Sequence, residues 1–238
     1  MNVESLPDKG TVYLIDDDAL IRESLIDALG MMGFEVIEFS SAVLFLKNLT
    51  SIVRPSVIVL DMQMPDMTGV ELQAQLLTQK LLIPIIFISG KSNPQQIITG
   101  MKQGAVDFLL KPFCLNELVA ILTTTLEVDL TQSIYENRFA SLTTREKDVF
   151  VLLVKGNSNK AVAGELNVTE SMIKLHKSRI MTKMQASSVQ ELTAIYLHLR
   201  LSTNHLRLDT EQQNDSLTAK KSVIPAGMPE SSHTDVKL

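Results

Sequence analysis

With 238 residues and 45% apolar composition, the chain suits one or two packed domains of about 150 residues each, and no apolar run approaches the ~20 residues that span a bilayer. The N-terminus lacks the basic and apolar regions of a secretion signal, so a cytoplasmic location without a membrane partner is expected, and a single cysteine, Cys114, excludes a disulfide framework or a cysteine-rich zinc module. The net charge of −5 hides an asymmetry, since residues 1–130 hold 16 acidic and 8 basic side chains but residues 140–200 hold nine basic and five acidic ones; nucleic acid is a candidate partner for the second part.

In chain order, "TVYLI" (11–15), "FEVIEF" (34–39), "SVIVL" (56–60), "PIIFI" (84–88) and "VDFLL" (106–110) read as strands. The third does not alternate apolar with polar, which marks a strand buried on both faces. Helices are expected at about 18–31, 40–48, 68–78, 94–103 and 114–127. Gly33 stands where a helix C′ glycine belongs, and Asn93-Pro94 pairs an N-cap with an N1 proline. Strict alternation of β and α with short connections implies a parallel, doubly wound α/β sheet covered on both faces. This first domain spans residues 1–127.

Residues 128–140, "VDLTQSIYENRFA", are polar without a firm period and read as a linker, either free or continuing the preceding helix. From 141 to 201 every periodic segment is helical, starting at Thr143 and Glu146, which have capping-box spacing. Residues 202–238 are too poor in aromatics and clustered aliphatics to bury themselves, so a disordered tail is expected.

Ligands of an open parallel sheet bind beyond the carboxyl ends of its strands. There the first strand delivers Asp16, Asp17 and Asp18, the third Asp61, the fourth Ser89 and the fifth Lys111. Asp commonly starts loops, so Asp61 alone would say little. Several carboxylates together raise each other's pKa unless a cation holds them ionised. Hard oxygen donors with room for water and phosphate suit Mg²⁺. A lysine and a serine hydroxyl suit phosphoryl oxygens. The constellation reads as a phosphoryl acceptor in which Asp61 is the nucleophile, with the metal and Lys111 neutralising charge.

"YLIDDD", "VLDMQMPDMTG", "FISG" and "FLLKPF" together resemble, in order and spacing, the signature segments of bacterial response-regulator receiver domains. The resemblance covers residues 11–127 and implies the flavodoxin-like strand order 2-1-3-4-5. It implies that Asp61 is phosphorylated by a sensor histidine kinase. Mg²⁺ would be held by Asp16, Asp17, Asp61 and the backbone carbonyl of Gln63, while Ser89 and Lys111 contact the phosphoryl group. Phe108 would be the aromatic switch, and Lys111–Pro112 a cis bond. Asp18 is expected to cap the next helix rather than bind metal.

Further on, "GNSNKAVAGELNVTESMIKLHKSRIMTKM" (156–184) reads as helix, polar turn, helix, with Thr169 an N-cap. Ile173, Ile180 and Met184 share one stripe of the second helix and should face a core. Ser171, Lys174, Leu175, Ser178 and Thr182 fall opposite, where an exposed helix can lie in a major groove. Lys160, Lys177 and Arg179 are candidates for phosphate contacts; an ordinary solvated basic helix would show the same wheel. The segment from Leu142 is similar to the LuxR-type helix-turn-helix, with its Leu-Thr-x-Arg-Glu start and Ser-Asn-Lys turn. Met172-Ile173-Lys174 replaces the Thr-Val-Lys usual there, removing one hydroxyl.

The whole resembles the FixJ/NarL class, which implies a regulator that dimerises on phosphorylation and binds double-stranded DNA. It would not be an enzyme beyond slow autodephosphorylation. A receiver acting through protein partners without specific DNA binding is the alternative. An Asp-nucleophile phosphatase would want a second Asp two residues after the nucleophile, where this chain has Gln63.

Overall fold

A computed structural model describes residues 9–49, 52–90 and 94–200. Asn93 and the tail expected at 202–238 lie outside the described residues. The first half alternates β1 (Thr11–Ile15), α1 (Ala19–Met31), β2 (Glu35–Phe39), α2 (Ala42–Asn48), β3 (Ser56–Asp61), α3 (Gly69–Thr78), β4 (Ile85–Ser89), α4 (Pro94–Lys102) and β5 (Asp107–Leu110). The strands form one parallel sheet in the order β2-β1-β3-β4-β5.

Every residue of β3 is buried, because its two faces feed two cores. Val57 and Val59 join Val12, Leu14, Ile86 and Ile88 on one face. Ile58 and Leu60 join Tyr13, Ile15, Ile85 and Phe87 on the other. A βαβ sheet wrapped by helices leaves no solvent face, which is why the sequence shows runs rather than alternation. The helix ends are built locally. Asp18 caps α1 by accepting from Leu20 N–H at 2.9 Å, and Gly33 follows at φ +88°, a left-handed turn that glycine takes without strain. The Arg54–Pro55 and Lys111–Pro112 bonds are cis.

The segment 128–140 is helical: α5 runs unbroken from Leu115 to Ala140. It contains neither proline nor glycine, and its inward positions never run out of partners. Leu118, Leu122 and Leu126 pack on the sheet. Asp129 then bonds Arg54, and Tyr135 and Phe139 pack against the core of the second half. The polarity of this stretch is that of a helix shared between two bodies.

The second half consists of α6 (Thr144–Val154), α7 (Asn159–Glu165) and α8 (Glu170–Met184), followed by a helical segment at 189–200. Thr143 and Glu146 form the expected capping box. Ile173, Ile180 and Met184 are each 0% exposed and close on Phe150, Val162 and Leu192. No helix among the described residues is long and apolar enough to cross a membrane.

Candidate functional site

Strand register builds the acidic site. Ile15 pairs with Leu60, so the next residues, Asp16 and Asp61, leave the sheet side by side. Ser89 pairs with Leu110, and Lys111 N–H donates to the Ser89 carbonyl at 2.8 Å. The four strand ends thus converge without any long-range search. Asp16 and Ser89 are fully buried and Asp61 is nearly so, whereas Asp17 is exposed.

The Lys111 ammonium bridges the two buried acids, donating to Asp16 Oδ2 at 2.7 Å and Asp61 Oδ2 at 2.6 Å. Gln63 N–H donates to Asp61 Oδ1 at 2.8 Å, and Asp18 N–H to Asp16 Oδ1 at 2.9 Å. Burial holds the Asp16 carboxyl above the ordinary carboxylate range, against the lowering pull of Lys111 and the Asp18 N–H. For Lys111, burial pulls the ammonium down, but hydrogen bonds to Asp16 and Asp61 outweigh it and leave its pKa raised. One lysine is therefore shared between two acids, and the cluster can take a further positive charge.

Oxygens of Asp16, Asp17 and Asp61 lie within 4.8 Å of one another. Three hard carboxylate donors open to solvent on the Asp17 side fit a small divalent cation that keeps several waters. Asp18 takes no part, since its carboxylate is spent on the cap of α1. Phe108 sits half-buried on β5, in register with Phe87.

The site has supports that the sequence did not announce. Arg22 donates to the Asp16 backbone carbonyl at 2.7 Å and to Glu38 at 2.8 Å, fixing the end of β1. Gly69 has a local signal: a Cβ there would come within 2.6 Å of the Asp61 carbonyl oxygen, so only glycine lets α3 start so close to Asp61. Thr68 and Glu71 cap that helix reciprocally.

The basic candidates gather on the other half of the molecule. Ser171, Lys174, Leu175, Ser178 and Arg179 are exposed along α8, Lys160 is exposed at the start of α7, and Lys177 is half-buried. The turn between the two helices passes through Asn167 at φ +51° and is held from below by Arg145, which donates to the Leu166 carbonyl at 2.7 Å. Lys183 pairs with Glu146 at 2.6 Å, tying the end of α8 to the start of α6. Its partner is hidden from any local reading.

Comparison with known proteins follows the same division. Residues 12–123 match the response regulator receiver domain family, and residues 140–196 match the bacterial regulatory proteins of the luxR family. The response regulator protein TodT of Pseudomonas putida is 35% identical over 196 residues, covering 79% of this chain and 86% of TodT. The transcriptional regulatory protein FixJ of Bradyrhizobium diazoefficiens is 35% identical over 194 residues, 79% of this chain and 94% of FixJ. The solved structure of the response regulator StyR superposes with a TM-score of 0.53 at 37% identity, covering 79% of this chain and 98% of that one.

Proposed function

This chain belongs to the response regulators that join a receiver to a LuxR-type DNA-binding domain and control transcription, and from that premise we propose that a sensor histidine kinase phosphorylates Asp61 to drive dimerisation and sequence-specific DNA binding. The observation that carries this reading is the Lys111 ammonium shared between Asp16 and Asp61 at the carboxyl edge of the sheet. In this assignment the receiver comprises residues 1–127, the connection 128–140 and the DNA-binding domain 141–201.

An Asp61 carboxylate oxygen attacks the phosphorus of the kinase's phosphohistidine. A P–O bond forms as the P–N bond breaks, and the imidazole leaves with the electron pair and takes up a proton. Asp16, Asp17, Asp61 and the Gln63 carbonyl are the residues to hold Mg²⁺, which when bound supplies Lewis-acid neutralisation of the phosphoryl oxygens. Lys111 exchanges its contact with the Asp61 carboxylate for one with the phosphoryl group, and the Ser89 hydroxyl donates to a second phosphoryl oxygen. Water slowly returns the aspartyl phosphate to the carboxylate, so the protein is a stoichiometric acceptor rather than an enzyme with turnover.

The new group adds roughly −1.5 to −2 charges. As Ser89 moves toward it, Phe108 turns into the space vacated and repacks α4 and β5. Ile98 and Met101 on α4 and Leu110 on β5 are exposed, an apolar strip suited to a symmetric partner. Dimerisation then brings two α8 helices onto half-sites about one helical turn apart. Lys174, with Ser171, Leu175 and Ser178, is assigned to base edges, and Lys160, Lys177 and Arg179 to phosphates.

Acetyl phosphate and Mg²⁺, followed by intact mass, sedimentation and gel shift on promoter fragments, test the whole chain of events. One added phosphoryl group, a doubled sedimenting mass and tighter specific binding are expected for wild type, and none of these for Asp61→Asn. Undiminished labelling of that variant sinks the site. Labelling without any change of mass or DNA affinity sinks the coupling alone.

A further inference from the structure

At the opposite edge of the sheet, beneath the amino ends of the strands, lies a cavity of about 450 Å³ that the phosphoryl chemistry does not use. The size falls within the ~300–1,000 Å³ of small-molecule sites. Its lining is mostly apolar, including Leu76, Ile83, Val106 and Val128, and it is shared among three bodies: the receiver, α5 and, through His198, the helical segment 189–200. Val106 and Val128 are 43% and 64% exposed, so the mouth is greasy as well.

Two of the polar groups in this lining lack partners. The side-chain oxygens of Gln73 and Gln103 are buried and accept no hydrogen bond. Gln73 is only 2% exposed. Its amide nitrogen donates to the Gly100 carbonyl at 3.1 Å, which fixes the amide and leaves the oxygen as an unused acceptor. Buried acceptors without donors are unfavourable and rare, and each calls for an explanation. The charged groups nearby call for none. Arg54 is paired with Asp129 and, at 2.8 Å, with Glu136, whose other oxygen accepts from Gln132 at 2.7 Å, so each of these charged groups already has a partner, and the one surplus negative charge rests on the partly exposed Glu136.

We propose that this cavity binds a small neutral amphipathic molecule, an apolar body carrying a hydroxyl or N–H donor aimed at the oxygens of Gln73 and Gln103. Such an occupant touches the receiver, α5 and the segment 189–200 at once, so it braces one half of the protein against the other. It acts from the far edge of the sheet and independently of Asp61.

The test uses the full-length chain and 2-cyclohexylethanol as probe, with its methyl ether as the control that lacks the donor. Side-chain amide resonances of Gln73 and Gln103 are followed by NMR during titration. The alcohol should shift both with a dissociation constant on the order of 1 mM, as suits so small a ligand. The ether should bind about tenfold more weakly, because it leaves the acceptors unpaired. Gln73→Met removes one acceptor at similar volume and should cost the alcohol about tenfold. Val128→Trp fills the mouth from an exposed position, so folding is preserved, and should abolish the shifts. Silence of both amides overturns the proposal. So does ether binding equal to that of the alcohol, or unchanged affinity in Val128→Trp.

Discussion

The clearest quantitative expectation concerns Arg54 and Asp129. The Asp129 side chain is 2% exposed and that of Arg54 is 25% exposed. Asp129 accepts from Arg54 Nε at 3.1 Å and from the buried Ser56 N–H at 2.9 Å. Arg54→Met leaves a buried carboxylate with only the Ser56 N–H. Breaking a buried pair this way costs ~3–5 kcal/mol. Water reaching the partly open arginine side brings the expectation to about 2–4 kcal/mol. Asp129→Leu removes the charge but strands the Ser56 N–H, at about 1–3 kcal/mol. Arg54 then still has Glu136 and solvent. The double variant has no buried charge left and should cost about the same as Asp129→Leu alone. The two changes should therefore be non-additive by about 2 kcal/mol or more. Native-state hydrogen exchange of β1 and β3 amides in a urea series reads the receiver's stability separately from the helical half. Additivity within about 0.5 kcal/mol would refute the argument, since it would show that the carboxylate does not depend on this arginine.

Phe108→Ala should accept the phosphoryl group normally yet fail to shift toward the dimer, and sedimentation with acetyl phosphate checks this; full dimerisation of the variant excludes the aromatic from the switch. Lys174→Ala should weaken specific DNA binding by about 1–3 kcal/mol, whereas Lys160→Ala should lower affinity for every sequence and flatten the salt slope. Equal effects of the two on specific and random DNA would remove Lys174 from base reading. Glu146 has its carboxyl held low by the Lys183 hydrogen bond and then by the Thr143 N–H. A carboxyl lower in the folded state contributes stability above its ordinary value of 4.5, and that stability drains away as pH falls through the folded value. Thermal unfolding of the helical half should thus fall off below about pH 4.5, and Glu146→Gln, which keeps the capping geometry, should flatten that slope.

The convergence of the strand ends was legible because parallel sheets send all their carboxyl ends to one edge. Asp61, Asp16, Ser89 and Lys111 each follow an apolar run, so locating the runs located the site. Arg22 escaped because its targets, the Asp16 carbonyl and Glu38, are settled by tertiary packing and leave no local trace. The same blindness hid Arg145 and Lys183, whose partners lie 21 and 37 residues away. The extent of α5 was half legible. Absence of proline and glycine permitted a helix through 128–140, but its polar residues looked solvated because Arg54, 75 residues from Asp129 in sequence, could not be seen as their partner.

That helix fastens both halves. Near its middle Asp129 holds Arg54, and near its end Arg138 donates to the Met184 carbonyl at 3.3 Å, at the finish of α8. Its 26 residues make a rod about 39 Å long, in which each residue carries about 100° of rotation. The direction in which α8 faces is therefore counted out in residues from the receiver. One residue added between Asp129 and Arg138 would swing the exposed face of α8 about 100° around the rod and advance it about 1.5 Å. Seven added residues would bring it back to within about 20° of its original bearing. The length of this connection is thus a setting of angular phase, free to change only in steps of nearly whole turns.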